Sequence, residues 1–574
     1  MEKQWQLRPA IDKALVKKYP EYHRIILQLL FDRGLKEKEE IEKFLFPDFE
    51  RDTFDPFLFK NMAAAVDLII SHIKAQNKIV VYGDYDADGV TATAVLAEAL
   101  SILKAKIDIY IPHRVKEGYG LNKEAVTKIA SAGAKLIITV DGGIRNKKEV
   151  EFARHLGLDI IITDHHLAAE KESERPQTLL IDPMISGETY PFKKLAGVGV
   201  AFKVAAAIVS RSTLTVEQKK KLLDRLLDLT AVGTVADCVS LLGENRVLVK
   251  RGLEILNSRP RLGLKELIKV AGLRGDMELN AWHIGFQLAP RLNAAGRMGH
   301  ANTAFELVTT KNKEEAEVLA KRLNEKNATR QRLTEEVTAA AEKQVKKEDK
   351  IIISVFSDET GEEAWNEGII GLVAGRLAEK YNRPTLVITR SGAELKGSGR
   401  SAAGLNLFQT IETASQWLDK YGGHASACGF SLLPTNLEKF KTTVTKVVEE
   451  NLDEEKLQPK LLIDAMLPLE EINEELVTNI LRFEPFGQDN PRPLFVSFGA
   501  IIVDIITMGL KAEHIKLRLK TEKSGIFSAV GFGQAEKWKN LRIGHKIDIV
   551  YYIEFNEFNG RREIQLKIID IHYA

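Results

Sequence analysis

Three short motifs concentrate side chains able to bind metal: Asp84, Asp86 and Asp88 in DYDADG (84–89), Asp141 in DGG (141–143), and Asp164, His165 and His166 in DHH (164–166). Carboxylates that crowd together repel, and must be neutralised by protonation, pairing or a cation. No Lys or Arg lies inside the motifs, so the simplest neutraliser is a metal. Carboxylate oxygens with one or two imidazoles suit Mn²⁺ or Mg²⁺, the imidazole favouring manganese. Zinc is disfavoured because thiolates are absent from the set. Four to six anionic ligands exceed the need of one divalent ion. Two ions are therefore expected, an arrangement that activates water and steadies the charged phosphorus centre of a phosphoester during hydrolysis. Asp237, in GTVAD (233–237), is a candidate to complete the set. A single Asp behind a strand is ordinarily a helix N-cap or a turn residue. Three such motifs with a His-His pair are not explained that way.

Convergence of these residues depends on the elements before them. KIVVYG (78–83), KLIITV (135–140) and LDIIIT (158–163) each run directly into an acidic motif. Apolar runs of this length, separated by helical stretches, read as parallel strands buried on both faces. Each would end at the carboxyl edge of an α/β sheet, where such sheets place their ligands. TATAVLAEALSILKA (91–105) reads as a helix, while IDIYIP (107–112) and TLLIDP (178–183) add strands, the latter ending in Asp182. The alternation argues a doubly wound parallel sheet. KLLDRLLDLTAVGTVADCVSLLG (221–243) is mostly helical, with Gly233 and Asp237 interrupting its apolar face.

At 574 residues the chain is too long for one core, and three or four domains are expected. Residues 1–75 read as helices with turn signals and no evident chemistry, and residues 76–310 carry the acidic motifs. Residues 311–349 lack Gly and Pro, and Leu319, Leu323, Leu333, Val337 and Ala341 sketch one apolar stripe. They predict a connecting helix of roughly 50–60 Å. A second α/β unit fills 350–455. Residues 456–574 turn to short alternating strands, including HIKLRLK (514–520), KIDIVYYIEF (546–555) and a turn at FNG (558–560), which suggests an OB-type β-barrel. Charged residues are 28% and hydrophobic ones 44% of the chain, with a net charge of +2. Two distant cysteines, Cys238 and Cys428, exclude a disulfide scaffold or a thiolate zinc site. No stretch has signal-peptide or membrane-spanning character, so a cytoplasmic protein without a membrane partner is expected.

Phosphate contacts have their own candidates. RLNAAGRM (291–298), with Arg291, and GSGRS (397–401), with Arg400 and Ser401, combine Arg with small residues that let backbone amides and guanidinium approach a phosphate together. Arg114 lies just beyond a strand of the first sheet, and Tyr119 nearby could stack a base. His424, in GGHASACG (422–429), is equally compatible with a structural hydrogen bond. In the barrel, Lys511, Lys516, Arg518 and Lys520 with Phe555, Phe558, Arg561 and Arg562 fit either a nucleic-acid face or a solvated one.

DYDADG, VDGG, TDHH and GTVAD, in this order, resemble the signature motifs of the DHH phosphoesterases, and GSGRS with GGHASACG resembles their associated DHHA1-type domain. With RLNAAGRM, EPFGQDNPRP (484–493) and the barrel, the chain is similar from about residue 50 onward to the bacterial RecJ exonucleases. The resemblance implies a Mn²⁺- or Mg²⁺-dependent, 5′→3′ single-stranded-DNA exonuclease that releases nucleoside 5′-monophosphates in recombination and repair. It implies Asp84, Asp86, Asp88, Asp141, His165 and Asp237 as metal ligands, Asp141 bridging, and His166 on the scissile phosphate. Arg291, Arg400, Ser401 and His424 would hold phosphates across a cleft, and Arg114 and Tyr119 would engage the strand near its 5′ end. Asp164 would orient rather than ligate. A helicase and a single-strand-binding protein are implied partners, and a monomer is expected. Asn366 stands where the family often has His, Asp489 replaces a common Gly, and Ser426 and Cys428 vary the GGHAxAxG loop. Two alternatives stay open: a small-substrate phosphodiesterase or pyrophosphatase, which would not need the barrel, and an inactive scaffold, which would be expected to lose ligands.

Overall fold

The computed structural model describes residues 3–259, 261–357, 363–558 and 561–573. Two compact units result, one comprising residues 54–239 and 251–459, the other residues 2–53, 240–250 and 460–574.

The first unit begins with a parallel sheet of β1 (Lys78–Tyr82), β2 (Lys106–Tyr110), β3 (Ala134–Val140), β4 (Asp159–Thr163) and β5 (Leu179–Ile181), in the order β2-β1-β3-β4-β5. Val80, Ile137, Ile160 and Ile162 pack on one face against Val126, Ile129 and Val150. Ile79, Val81, Leu136, Ile138 and Ile161 are equally buried, as the alternation of a two-sided strand requires. Register fixes the site. Tyr82 pairs with Thr139 and Val140 with Thr163, so all three acidic motifs leave the sheet at nearly the same level.

Helices α1 (Ala87–Ile102), α2 (Gly197–Ser210) and α3 (Val216–Ala236) pack together beside this sheet. α4 (Ala289–Arg297) leads towards α5 (Lys313–Glu342). α5 has 30 residues, about 45 Å, shorter than the 311–349 stretch predicts. Just past its end, the Gln344 side chain pairs with the following strand: Nε2 donates to the Val355 carbonyl and Oε1 accepts from the Val355 amide. Ala316, Leu319, Ala320 and Leu323 of α5 are buried, and further along Val337 and Ala341 pack under the second α/β domain.

That domain is a mixed sheet of β6 (Ile352–Val355), β7 (Thr385–Ser391), β8 (Glu394–Arg400), β9 (Lys420–His424) and β10 (Ala427–Leu432), ordered β9-β10-β8-β7-β6 and backed by α6 (Glu367–Tyr381). Its glycine-rich motifs are antiparallel strands. A Cβ on Gly397 would lie 2.1 Å from the Phe430 ring, and one on Gly399 2.6–2.8 Å from Leu386, Cys428 and Leu407. These glycines make room for the core.

In the second unit, β11 (Phe495–Met508), β12 (His514–Lys520), β13 (Phe527–Gly531), β14 (Lys546–Phe558) and β15 (Arg561–Tyr573) run in the order β11-β12-β13-β15-β14, and β14 returns to pair with β11. This is a closed five-stranded OB-type barrel. Lys516, Arg518 and Lys520 alternate outward on β12, whereas Lys511 sits in the preceding turn. Arg562 lies 3.7 Å from the Phe555 ring centroid. Asn559 and Gly560 of the expected turn, and the side chains of Phe558 and Arg561, lie outside the described residues.

The N-terminal helices share the barrel's core. Ile25, Leu29, Ile41 and Phe44 join Leu476, Phe483, Leu517 and Tyr551. Gln4–Leu7, not foreseen as a strand, pairs in parallel with Lys460–Ile463. The buried Arg246 donates to the carbonyls of Phe44, Arg482 and Phe483 at 2.7–2.9 Å. Asp489 adopts φ +60°, the left-handed backbone that glycine enters at no steric cost. No single helix among the described residues is long and apolar enough to cross a membrane.

Candidate metal centre

Asp86 is the N-cap of α1, one carboxylate oxygen accepting from the amides of Asp88 and Gly89 at 3.0 Å. Capping and ligation are thus compatible in one residue, since the cap occupies a single oxygen. Asp88 points across to the N-terminus of α2, where it accepts from Gly197 and Val198 amides at 2.8 and 2.9 Å, a favourable place for negative charge. Asp237 ends α3, where the helix dipole disfavours a carboxylate and a compensating cation is wanted. Asp141 holds φ +59°, uncommon for a non-glycine residue and maintained only by its surroundings. Gly197 permits this, since a Cβ there would approach the Asp141 carboxylate to 2.6 Å.

These residues converge. Donor atoms of Asp84, Asp86 and Asp141 lie within 4.8 Å of one another, as do those of Asp88, His165 and Asp237, and those of Asp141, His165 and His166. His165 Nε2 faces Asp141 Oδ1 at 3.1 Å, Asp237 Oδ2 at 3.6 Å and Asp88 Oδ2 at 4.0 Å. It is buried and hydrogen-bonds to none of them, and Asp84 Oδ1 is likewise buried without a hydrogen-bond partner. Burial, reinforced by neighbouring carboxylates, raises Asp84, Asp141 and Asp237 well above the usual carboxylate range and Asp88 to about 7. Burial and the adjacent His166 push His165 down to about 4, leaving a neutral imidazole with an available lone pair. Orphaned donors, crowded carboxylates and a neutral imidazole fit a hard divalent cation. The donor set suits Mn²⁺ or Mg²⁺.

Asp164 is fully buried and spent on its neighbours. One oxygen accepts from the amides of His165 and His166 and from His166 Nδ1 at 2.7 Å, and the other from the Ile144 amide. Burial works against charge on His166, but its bond to Asp164 and the surrounding carboxylates raise it to about 9. Tyr119 places its hydroxyl 3.0 Å from His166 Nδ1 and donates to the Asp141 carbonyl, while its ring remains exposed.

Positive charge gathers alongside. The Arg114 guanidinium lies 4.7 Å from the Tyr85 ring centroid and helps hold the Asp84 carboxyl down against burial. Arg400, on β8, lies within reach of the Arg114 charge, and His424 is lowered by burial, then by Arg400 and His166. Arg291 turns instead to Asn324 and to the Gln287 carbonyl. The Ser401 hydroxyl donates to the Leu405 carbonyl within its own turn. Asn366 caps α6, accepting from the Gly368 amide at 2.8 Å.

Sequence reasoning missed Arg297 and Asn293. Arg297 donates to the Gly368 carbonyl of the second α/β domain at 3.1 Å. Burial and Arg114 push its guanidinium down to about 9, against the pull of Asp86. Asn293 accepts from the Ala87 amide at 2.8 Å, and a Cβ on Gly296 would meet the Tyr85 carbonyl at 2.5 Å. Asn293 and Arg297 are four residues apart and share a helix face, a signal present in RLNAAGRM. Arg291, six before Arg297, falls on a different face.

Family models match in the same order: the DHH family N-terminal domain over residues 78–234, the DHHA1 domain over 334–450 and the RecJ OB domain over 463–570. The single-stranded-DNA-specific exonuclease RecJ of Bacillus subtilis is 39% identical over 574 residues, covering 99% of this chain and 70% of that protein. RecJ of Escherichia coli is 31% identical, with both chains covered completely. The crystal structure of RecJ in complex with Mn²⁺ from Thermus thermophilus superposes with a TM-score of 0.83 at 28% identity, covering 100% of this chain and 80% of that one. The chain belongs to the RecJ family.

Proposed function

We propose that the protein is a metal-dependent 5′→3′ exonuclease that hydrolyses single-stranded DNA to nucleoside 5′-monophosphates in recombination and repair. The observation that carries this reading is the set of overlapping donor triads, joined through Asp141 and His165 and edged by arginines. Asp84, Asp86, Asp88, Asp141, His165 and Asp237 would hold Mn²⁺ or Mg²⁺, Asp141 belonging to two of the three donor groups. When bound, the ions would activate a water molecule and offset charge on the scissile phosphate.

The side chains supply the rest. His166, kept cationic by Asp164, would contact a phosphate oxygen and give its proton to the departing 3′ oxygen. Water adds to phosphorus, the P–O3′ bond breaks, a nucleoside 5′-monophosphate leaves, and the shortened strand keeps a 5′ phosphate. Arg114 and Tyr119 would engage the 5′ end, while Arg291, Arg297, Arg400, Ser401 and His424 would bind the backbone. On this reading, residues 76–310 form the catalytic domain, 311–349 a connecting helix and 350–455 a substrate-binding domain. Residues 456–574 form a nucleic-acid-binding barrel, and 1–75 a helical segment. A helicase and a single-strand-binding protein would supply the substrate, and the chain would act as a monomer.

The deciding assay uses end-labelled single-stranded and duplex DNA with Mn²⁺, Mg²⁺ or chelator. Mononucleotides released from the 5′ end of single strands, and only with metal, are expected. Wild-type activity in Asp141→Ala would refute the site.

A further inference from the structure

Just before α4, the chain exposes two large aromatic side chains side by side. Trp282 is 52% and Phe286 67% exposed, their ring centroids 5.5 Å apart and their planes 25° from parallel. Asn280 caps this turn, accepting from the amides of Trp282 and His283, and residues Ile284–Leu288 continue as a π-helix. Such wide turns are rare and recur at functional sites. Single exposed apolar residues are ordinary, but a stacked exposed pair gives up burial without visible return to the fold.

We infer that Trp282 and Phe286 form a stacking platform for an unpaired nucleobase of the substrate strand. This deepens the proposed exonuclease reading and rests on it. Three observations converge. First, the turn that carries the rings packs against α3, the helix that ends at Asp237: a Cβ on Gly285 would lie 3.7 Å from Val235. Second, the same run of chain continues into α4, which carries Asn293 against the acidic loop and Arg297 at the arginine cluster. Third, an imidazole flanks Trp282, and an arginine is anchored on the residue next to Phe286. His283 packs edge-on to Trp282, and the Arg291 guanidinium folds back onto Gln287 of the π segment, Nη1 donating to its carbonyl at 2.6 Å. Aromatic faces interleaved with basic side chains are how proteins hold single strands without reading sequence. A protein partner would need about 800 Å² of surface on each side, far more than two rings among hydrophilic neighbours provide.

The test is single-turnover cleavage of a 5′-phosphorylated oligothymidylate 20-mer with Mn²⁺, read as the protein concentration giving half-maximal rate. Parallel substrates carry one abasic residue at successive positions. Trp282→Ala/Phe286→Ala is expected to raise the half-maximal concentration about tenfold, the scale of one lost base stack. In the wild type, an abasic residue at one internal position should cause a similar rise, and that rise should vanish in the double variant. Phe286→Leu, which keeps bulk but loses the aromatic face, should weaken cleavage in the same direction. Val216→Ala removes an 85% exposed apolar side chain elsewhere and should change nothing. An unchanged half-maximal concentration in the double variant, or a penalty at every abasic position that simply adds to the variant's own, overturns the platform. A wild type that leaves the 20-mer intact overturns the exonuclease reading itself, a distinct result.

Discussion

Asn293 Oδ1 accepts a hydrogen bond from the Ala87 amide at 2.8 Å, tying the helix that carries Arg297 to the start of α1, between Asp86 and Asp88. The first amide of α1 thereby gains a partner from α4, and the acidic loop is held from outside as well as by its own cap. Asn293→Ala should weaken Mn²⁺ affinity about 10- to 100-fold, the usual cost of losing an outer support of a metal site. Titration calorimetry would measure it. Wild-type affinity would show that the cap alone positions the loop.

The carboxylates predict an unusual pH response in metal-free protein. Asp84, Asp88, Asp141 and Asp237 are all raised, Asp88 to about 7, so the folded state holds more protons than the unfolded chain. Their contribution to stability is present at low pH and is lost as pH rises through the folded values. In chelator, the melting temperature should fall between pH 6 and 8. Mn²⁺ at a hundred times its Kd should remove that fall and add about 2.7 kcal/mol. A metal-free melting temperature that climbs across this interval would contradict the site's electrostatics.

His166 owes its charge to Asp164, which receives its Nδ1 at 2.7 Å. His166→Gln should lower kcat by about 10²–10⁴, the range for a lost general acid. Asp164→Asn should move the alkaline limb of the rate profile to lower pH, because the imidazolium loses its anionic partner. A profile unmoved in Asp164→Asn would argue that His166 is not the proton donor.

Gly233 lets α3 lie against α1. A Cβ there would sit 2.2 Å from Thr91 Oγ1 and 2.8 Å from Asp88 Oδ1. Gly233→Ala should destabilise the protein by about 1–3 kcal/mol and weaken Mn²⁺ binding by displacing Asp88. Adding Thr91→Ala should restore part of the stability, which denaturant unfolding would detect.

How much of this could be read from residues alone differs by element. Asp84, Asp141 and Asp164 were legible because each follows an apolar strand, and parallel register then brings strand ends level. The stripe of α5 was legible from its spacing, but its end at Glu342 was not, since no Gly or Pro marks it. The glycine motifs were legible as dense in Gly and Arg, but a sequence does not reveal that Phe430 and Leu386 need the space at Gly397 and Gly399. Arg297 was overlooked beside Arg291, although its spacing from Asn293 marks a common face. The sharing of a core by Ile25 and Leu517 joins residues nearly five hundred positions apart, and no periodicity carries that information.

The union of the N-terminal helices with the barrel imposes an order of events during synthesis. Segment 3–53 is made before the strands that bury Ile25, Leu29 and Phe44, which begin about 450 residues after Phe44, roughly 20–90 s later at ordinary elongation rates. Throughout that wait the parallel sheet of β1–β5 can close, while the helices of segment 3–53 keep an apolar face without its mate. The nascent chain therefore carries an unmatched apolar face on segment 3–53 until the barrel strands close over it.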